Sequence, residues 1–158
     1  MLPEGTLAEV IDNTLYMSPS PIFSHQEVLG DLYNTIYTQV KALSLGKCVV
    51  APMDVYLDKQ NIVQPDILFI NNANLNIIKS GKVRGAPNLL IEILSTNRKH
   101  DLEKKKALYE KFGVKEYFIV DPATKETFTY YHNGQKYIQQ ESKPGKIKSK
   151  LLKKVFGF

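Results

Sequence analysis

Polar and apolar positions alternate along the chain in a way that predicts a strand hairpin, a long helix, a set of strands, a second helix and further strands. Ala8-Glu9-Val10-Ile11 and Thr14-Leu15-Tyr16-Met17 flank Asp12-Asn13, so residues 7–17 predict a hairpin. Ser18-Pro19-Ser20-Pro21 interrupts the pattern. Beyond it Leu29, Leu32, Ile36, Val40 and Leu43 recur at helical spacing, which predicts a helix over residues 24–45 with one buried stripe. Ser24-His25-Gln26-Glu27 has the form of a capping box, and Gly46 stands as the stop.

Short strands are expected over residues 47–51 and 53–57, then an apolar strand over 63–70 with an acid, Asp66, near its start. A connection follows, with a short helix over 75–79. Asn88-Leu89-Leu90-Ile91-Glu92-Ile93-Leu94-Ser95 reads as a central strand buried on both faces. A second helix is expected over 98–112, ended by Gly113. Residues 116–121 form another core strand, and Asn133-Gly134 joins a last hairpin over 127–140. The order implies an α/β domain spanning residues 1–158, with a mixed sheet and helices on both faces.

Three residues break this pattern. Glu92 is the one charged residue in its strand. A carboxylate isolated there costs several kcal/mol or takes up a proton, so a basic group, backbone donors or a metal ion must meet it. Asp66 enters an apolar strand directly after Pro65 and shares a strand face with Gln64; taken alone it is equally a strand-end turn residue. Lys105 lies mid-stripe between Leu102 and Tyr109, with Asp101 four residues before it. Either its stem packs and its amine escapes to water, or its ammonium reaches the two acids. Two carboxylates and an ammonium at one point suit metal-dependent phosphodiester hydrolysis. Carboxylate oxygens hold Mg²⁺ (or Mn²⁺), and a nearby lysine offsets charge on the reacting phosphate.

Bulk properties narrow the classes. The chain of 158 residues suits one core, and 21 Lys plus Arg against 16 Asp plus Glu give a net charge of +5. That excess permits contact with phosphate polymers. Much of it lies in a basic C-terminal segment over residues 143–158, at Lys143, Lys146, Lys148, Lys150, Lys153 and Lys154. Such a run reads as a solvated, partly frayed terminus or as an edge that tracks a nucleic-acid backbone. The segment also holds Leu151-Leu152 and Val155-Phe156, which read as a final strand or an amphipathic partner-binding piece. Cys48 is the only cysteine, and one cysteine with three histidines does not suit a closed zinc site. No apolar run reaches the ~18 residues of a membrane span, and the first residues lack signal-peptide form, so a cytoplasmic location is expected.

The ordered set of motifs resembles a known family. It comprises Val63-Gln64-Pro65-Asp66, Gly85-Ala86-Pro87 with residues 88–95, Arg98, Asp101-Leu102, Lys105, Leu108-Tyr109 and residues 112–122. Glu9, Met17-Ser18-Pro19-Ser20-Pro21 and His25 also fit. The chain resembles the bacterial restriction-endonuclease-like proteins of the PD-(D/E)xK nuclease superfamily, a group long catalogued as a domain of unknown function. The resemblance implies a restriction-endonuclease-like fold and a Mg²⁺-dependent endonuclease acting on DNA, with Asp66 on the motif aspartate and Glu92 on the motif acid. Leu94 stands where the superfamily lysine is expected, and Lys105 on the following helix matches the migrated position used in this group. Asn88 replaces an aspartate found in many relatives. Glu9 becomes a further metal ligand on this reading, and His25 an auxiliary residue that reads equally as a capped core histidine. A homodimer is compatible with cutting both strands. The alternative is an inactive nuclease-like module that binds nucleic acid or protein.

Overall fold

The computed structural model describes residues 2–3, 5–95 and 99–158, and the side chains of all of these except residues 99–101. Strands β1 (Ala8–Ile11) and β2 (Thr14–Met17) pair across Asp12-Asn13, both with positive φ, as a two-residue hairpin turn requires. Helix α1 covers Phe23–Ala42. Its start differs from the expected capping box. The N-cap is Ile22, whose side chain has no oxygen to offer the free amides, and Ser24 already lies inside the first turn. Its end differs too: Ser44 takes the left-handed position (φ 51°), with Leu45 N–H on the Val40 carbonyl and Ser44 N–H on that of Lys41.

Gly46 instead opens β3 (Gly46–Val50), where an added Cβ would stand 2.0 Å from the Ile70 oxygen. Strands β4 (Val55–Tyr56), β5 (Ile62–Val63) and β6 (Ile67–Asn71) follow. The single strand expected over 63–70 is therefore two. Pro65 offers no N–H to a ladder, and at Gln64-Pro65-Asp66 the chain leaves one sheet for another. A 3-10 turn over Asn72–Ile77 precedes β7 (Ile78–Lys79) and β8 (Lys82–Arg84), a short hairpin where only a helix was expected.

Strand β9 (Leu89–Ile93), helix α2 (Lys99–Lys111) and β10 (Glu116–Val120) form a parallel crossover unit. α2 ends as expected at Gly113 (φ 73°), with Val114 N–H on the Tyr109 carbonyl. Strands β11 (Thr127–His132) and β12 (Tyr137–Gln140) form the expected hairpin. A final hairpin, β13 (Lys146–Ser149) with β14 (Lys154–Gly157), replaces the expected frayed end.

Two six-stranded sheets result, in place of one, with β13–β14 apart: β2-β1-β5-β4-β8-β7 and β12-β11-β10-β9-β6-β3. Strand alternation in the second divides the core. Ile67, Phe69, Leu89, Ile91 and Phe118 face α1 and the final hairpin, through Leu32, Ile36, Ile147, Leu152 and Phe156. Leu68, Ile70, Leu90, Tyr117 and Ile119 face α2 and the first sheet, through Leu108, Tyr109, Val55 and Val63. Glu92 shares the parity of Leu90, so it points toward α2.

A buried acid that the pattern did not single out, Glu116, anchors the final hairpin. It accepts Ser149 Oγ at 2.6 Å, Lys150 N–H at 2.7 Å and Leu151 N–H at 3.0 Å. Burial raises its carboxyl above the ordinary range, while those donors oppose the shift. Glu116→Ala would strand these donors. We expect it to lower the unfolding free energy by about 2–4 kcal/mol in urea titrations, with amide exchange quickening first in β13 and β14.

Candidate active site

Four elements converge at the seam. β1 carries Glu9, the break before β6 carries Asp66, β9 carries Glu92 and α2 carries Lys105. All four are buried: Glu9 is 3% exposed, Asp66 9%, Glu92 2% and Lys105 2%. The Lys105 ammonium lies 2.8 Å from Glu9 Oε1 and 3.1 Å from Glu92 Oε1. Of the two readings of Lys105, the amine that escapes to water is thereby excluded. One turn further along α2, Tyr109 donates its hydroxyl to the same Glu92 oxygen at 2.8 Å.

Glu9 Oε1 also accepts the Gln64 backbone N–H at 2.7 Å, which ties β1 to the segment leading into Asp66. The Gln64 amide points elsewhere, to Asp54 Oδ1 at 2.8 Å and to the Thr6 carbonyl at 3.3 Å. Asp66 Oδ2 accepts the Ile93 N–H at 2.7 Å, so its carboxylate is fixed beside the residue that follows Glu92. His25, on the first turn of α1, brings Nε2 to 3.5 Å from Asp66 Oδ1, and its Nδ1 lies 3.0 Å from Gln26 Oε1. A pocket of about 290 Å³ opens here, walled by Pro19, Pro21, Leu29 and Pro52 and reaching His25, Gln64 and Asp66. Asp101 falls among the side chains that are not described, and Arg98 outside the described residues.

Tyr109 is the site residue that sequence reasoning left in the core stripe. The signal was present: a phenol on the buried face, four residues after an inward lysine, needs an acceptor.

The electrostatics are unbalanced at Glu92. Burial is the largest influence and raises its carboxyl to about 7 from 4.5; Lys105 opposes this, Asp66 and Glu9 add to it, and the Tyr109 hydroxyl opposes it again. Lysine and phenol together do not offset burial among neighbouring carboxylates. Among the described residues, no three His, Cys, Asp or Glu side chains form a ready-made set of metal ligands.

A sheet carrying buried acids at one seam, with an inward lysine on its crossover helix, defines a nuclease-like α/β fold. The chain superposes on the crystal structure titled "a putative nuclease belonging to DUF820" from Anabaena variabilis, with a TM-score of 0.77 at 19% identity, covering 96% of this chain and 86% of that one. That likeness is one of fold. Residues 2–153 match the Uma2 family, described as "Putative restriction endonuclease", and the chain belongs to that family. No curated protein matches it. No helix among the described residues is long and apolar enough to cross a membrane.

A carboxyl whose folded pKa lies above its unfolded value stabilises the fold fully below the unfolded value and loses that contribution as pH rises through the folded one. Relative to Glu92→Gln, the wild-type protein is therefore expected to lose stability as pH climbs from about 4.5 to about 7. Urea titrations of both proteins in a chelator, at a series of pH values, check this. A difference that stays flat over that window contradicts the assignment.

Proposed function

We propose that this protein is a Mg²⁺-dependent endonuclease that hydrolyses phosphodiester bonds in DNA, with Asp66 and Glu92 holding the metal and Lys105 as the cationic catalytic group. The observation that carries the reading is the buried Lys105 ammonium within 3.1 Å of Glu92, on a strand whose next amide holds Asp66.

The donor set fits a hard divalent ion. Magnesium takes one or two carboxylates and keeps several waters, so a three-ligand protein cluster is not required. Among the described residues, the hydrogen bonds of Glu92 fall on Oε1, which leaves Oε2 for a metal. The residual penalty that raises the Glu92 carboxyl is of the kind a divalent cation would offset. When bound, the ion supplies a Lewis acid for the phosphate and acidifies a coordinated water.

The protein groups do the rest. Glu9 and Glu92 hold the lysine charge in a fixed place, so it opposes developing negative charge on the phosphate without reorganising. Tyr109 and Lys105 orient Glu92, and the Ile93 amide with His25 orients Asp66. Glu9 acts through Lys105 on this reading. Mn²⁺ is expected to substitute for Mg²⁺ because the donors are carboxylate oxygens.

The second reading, an inactive nuclease-like binding module, draws on the same contacts. Lys105 already bridges one oxygen of Glu9 and one of Glu92, which is also what a structural ion pair looks like.

Plasmid nicking in Mg²⁺ separates them. The wild type is expected to nick, and Asp66→Ala, Glu92→Ala and Lys105→Met to lose at least roughly 10²-fold in rate. Equal nicking by all four preparations would mean contamination. Magnesium binding by calorimetry that survives Glu92→Ala unchanged would count against the metal assignment.

A further inference from the structure

The lysine run of residues 143–154 holds six lysines and no acid. It is ordered by β13 and β14, and strand alternation sorts it. Ile147 and Ser149 are buried, while Lys146, Lys148 and Lys150 all face outward. Along β13 the Cα atoms of Lys146 and Lys148 are two residues, roughly 6.8 Å, apart, with Lys150 two residues further on in the turn that follows; that backbone spacing is commensurate with successive phosphates of an extended nucleic-acid strand. The row is held from below, where Glu116 fixes Ser149 and the amides of Lys150 and Leu151.

The lysines line a groove of about 590 Å³, with Lys143 and the polar groups of Thr129, Gln140 and Ser142. Lys150 Nζ sits 4.7 Å over the Tyr131 ring on its wall. Glu141 is the one acid of the lining, and among the described residues no carboxylate is in ion-pair range of Lys143, Lys146, Lys148 or Lys150. A solvated charged face needs no concavity, no hydroxyl and amide donors beside the cations, and no buried anchor. This one has all three. The groove flanks β11, two strands from β9 and thus roughly 10 Å across the sheet from the Glu92 strand. Thr129 has the parity of Tyr131, which packs on the α1 side of the core, the side from which His25 approaches Asp66.

We infer that this groove is an exosite for the phosphodiester backbone of a nucleic-acid strand, with Lys146, Lys148 and Lys150 each meeting one phosphate. The identity of the ligand rests on the nuclease reading; the groove is separate from the carboxylate site.

The test is fluorescence anisotropy of labelled single-stranded and duplex oligonucleotides, in chelator, over a salt series. The groove variant is Lys146→Gln, Lys148→Gln, Lys150→Gln. A control, Lys47→Gln, Lys79→Gln, Lys115→Gln, removes the same charge from exposed lysines elsewhere. The groove variant is expected to lose roughly tenfold or more in affinity, and the slope of log K against log salt to shrink by about 2, with little change in the control. Tightest binding of the single strand or of the duplex identifies which form the groove takes. Equal losses in both variants, undiminished binding in the groove variant, or no binding by the wild type would each overturn the exosite. Hydrolysis of a small chromogenic phosphodiester in Mg²⁺, too short to reach the groove, is expected to be the same in the groove variant and the wild type. Failure of the wild type to cleave either that ester or plasmid defeats the nuclease reading while leaving the binding result to stand or fall by itself.

Discussion

An ammonium can stay in a protein interior only where acids meet it, and Lys105 binds two acids from different sheets at once. Glu9 belongs to the sheet that holds β1, and Glu92 to the central strand of the other. Removing one partner of such a buried group leaves an uncompensated charge, typically at a cost of about 3–5 kcal/mol. The lysine therefore fixes how α2 lies against β9 and where β1 docks. The same contacts set the electrostatics of Glu92. On the proposed function, stability and chemistry at this seam are a single problem: the charge that orders the elements is the charge that would act on a substrate.

Much of that seam was legible in the pattern of residues. A lone acid in an apolar strand and a lysine inside a helical stripe each violate burial rules, and the violations point at one another because strand parity and helix phase are both periodic. The parallel crossover, the Gly113 stop and the Asn133-Gly134 hairpin followed from local chemistry. What escaped was long-range. Nothing local places Glu9 against Lys105, because that contact depends on how β1 pairs with β5, through the single register of Val10 with Ile62. The β7–β8 hairpin has two- and three-residue strands, too short for their alternation to register as strand. The final hairpin was hidden by its lysines: every second residue from Lys146 to Lys150 is charged, yet Ile147, Leu152 and Phe156 bury completely, so the segment that looked frayed is packed on α1, where the Gln39 amide meets the Leu152 carbonyl at 3.0 Å.

The capping box is an instructive miss. Ser24 through Glu27 satisfies the sequence form, but the form is fulfilled only if the serine sits outside the first turn. Here Pro21 and the extended Ile22 bring the chain into the helix two residues earlier than a Ser24 cap would, and Phe23 becomes its first member. The displacement matters to the site. His25 stands on the first turn with its Nε2 3.5 Å from Asp66 Oδ1, so this end of the helix serves the carboxylate.

Why Asp66 stands at a break and not within a strand follows from what it must reach. Inside a regular ladder its side chain would face one side of the sheet, toward α1 or toward α2, but not both. At the Pro65 break the chain passes from β5 in one sheet to β6 in the other, and the strand geometry lapses for three residues. That freedom lets one carboxylate accept the Ile93 amide from the neighbouring strand through Oδ2 while Oδ1 meets His25 from α1. The Glu92 carboxylate, held by strand parity, faces only α2. Two acids at neighbouring strands are thus held differently, Glu92 by strand parity and Asp66 by the break that frees it from that parity.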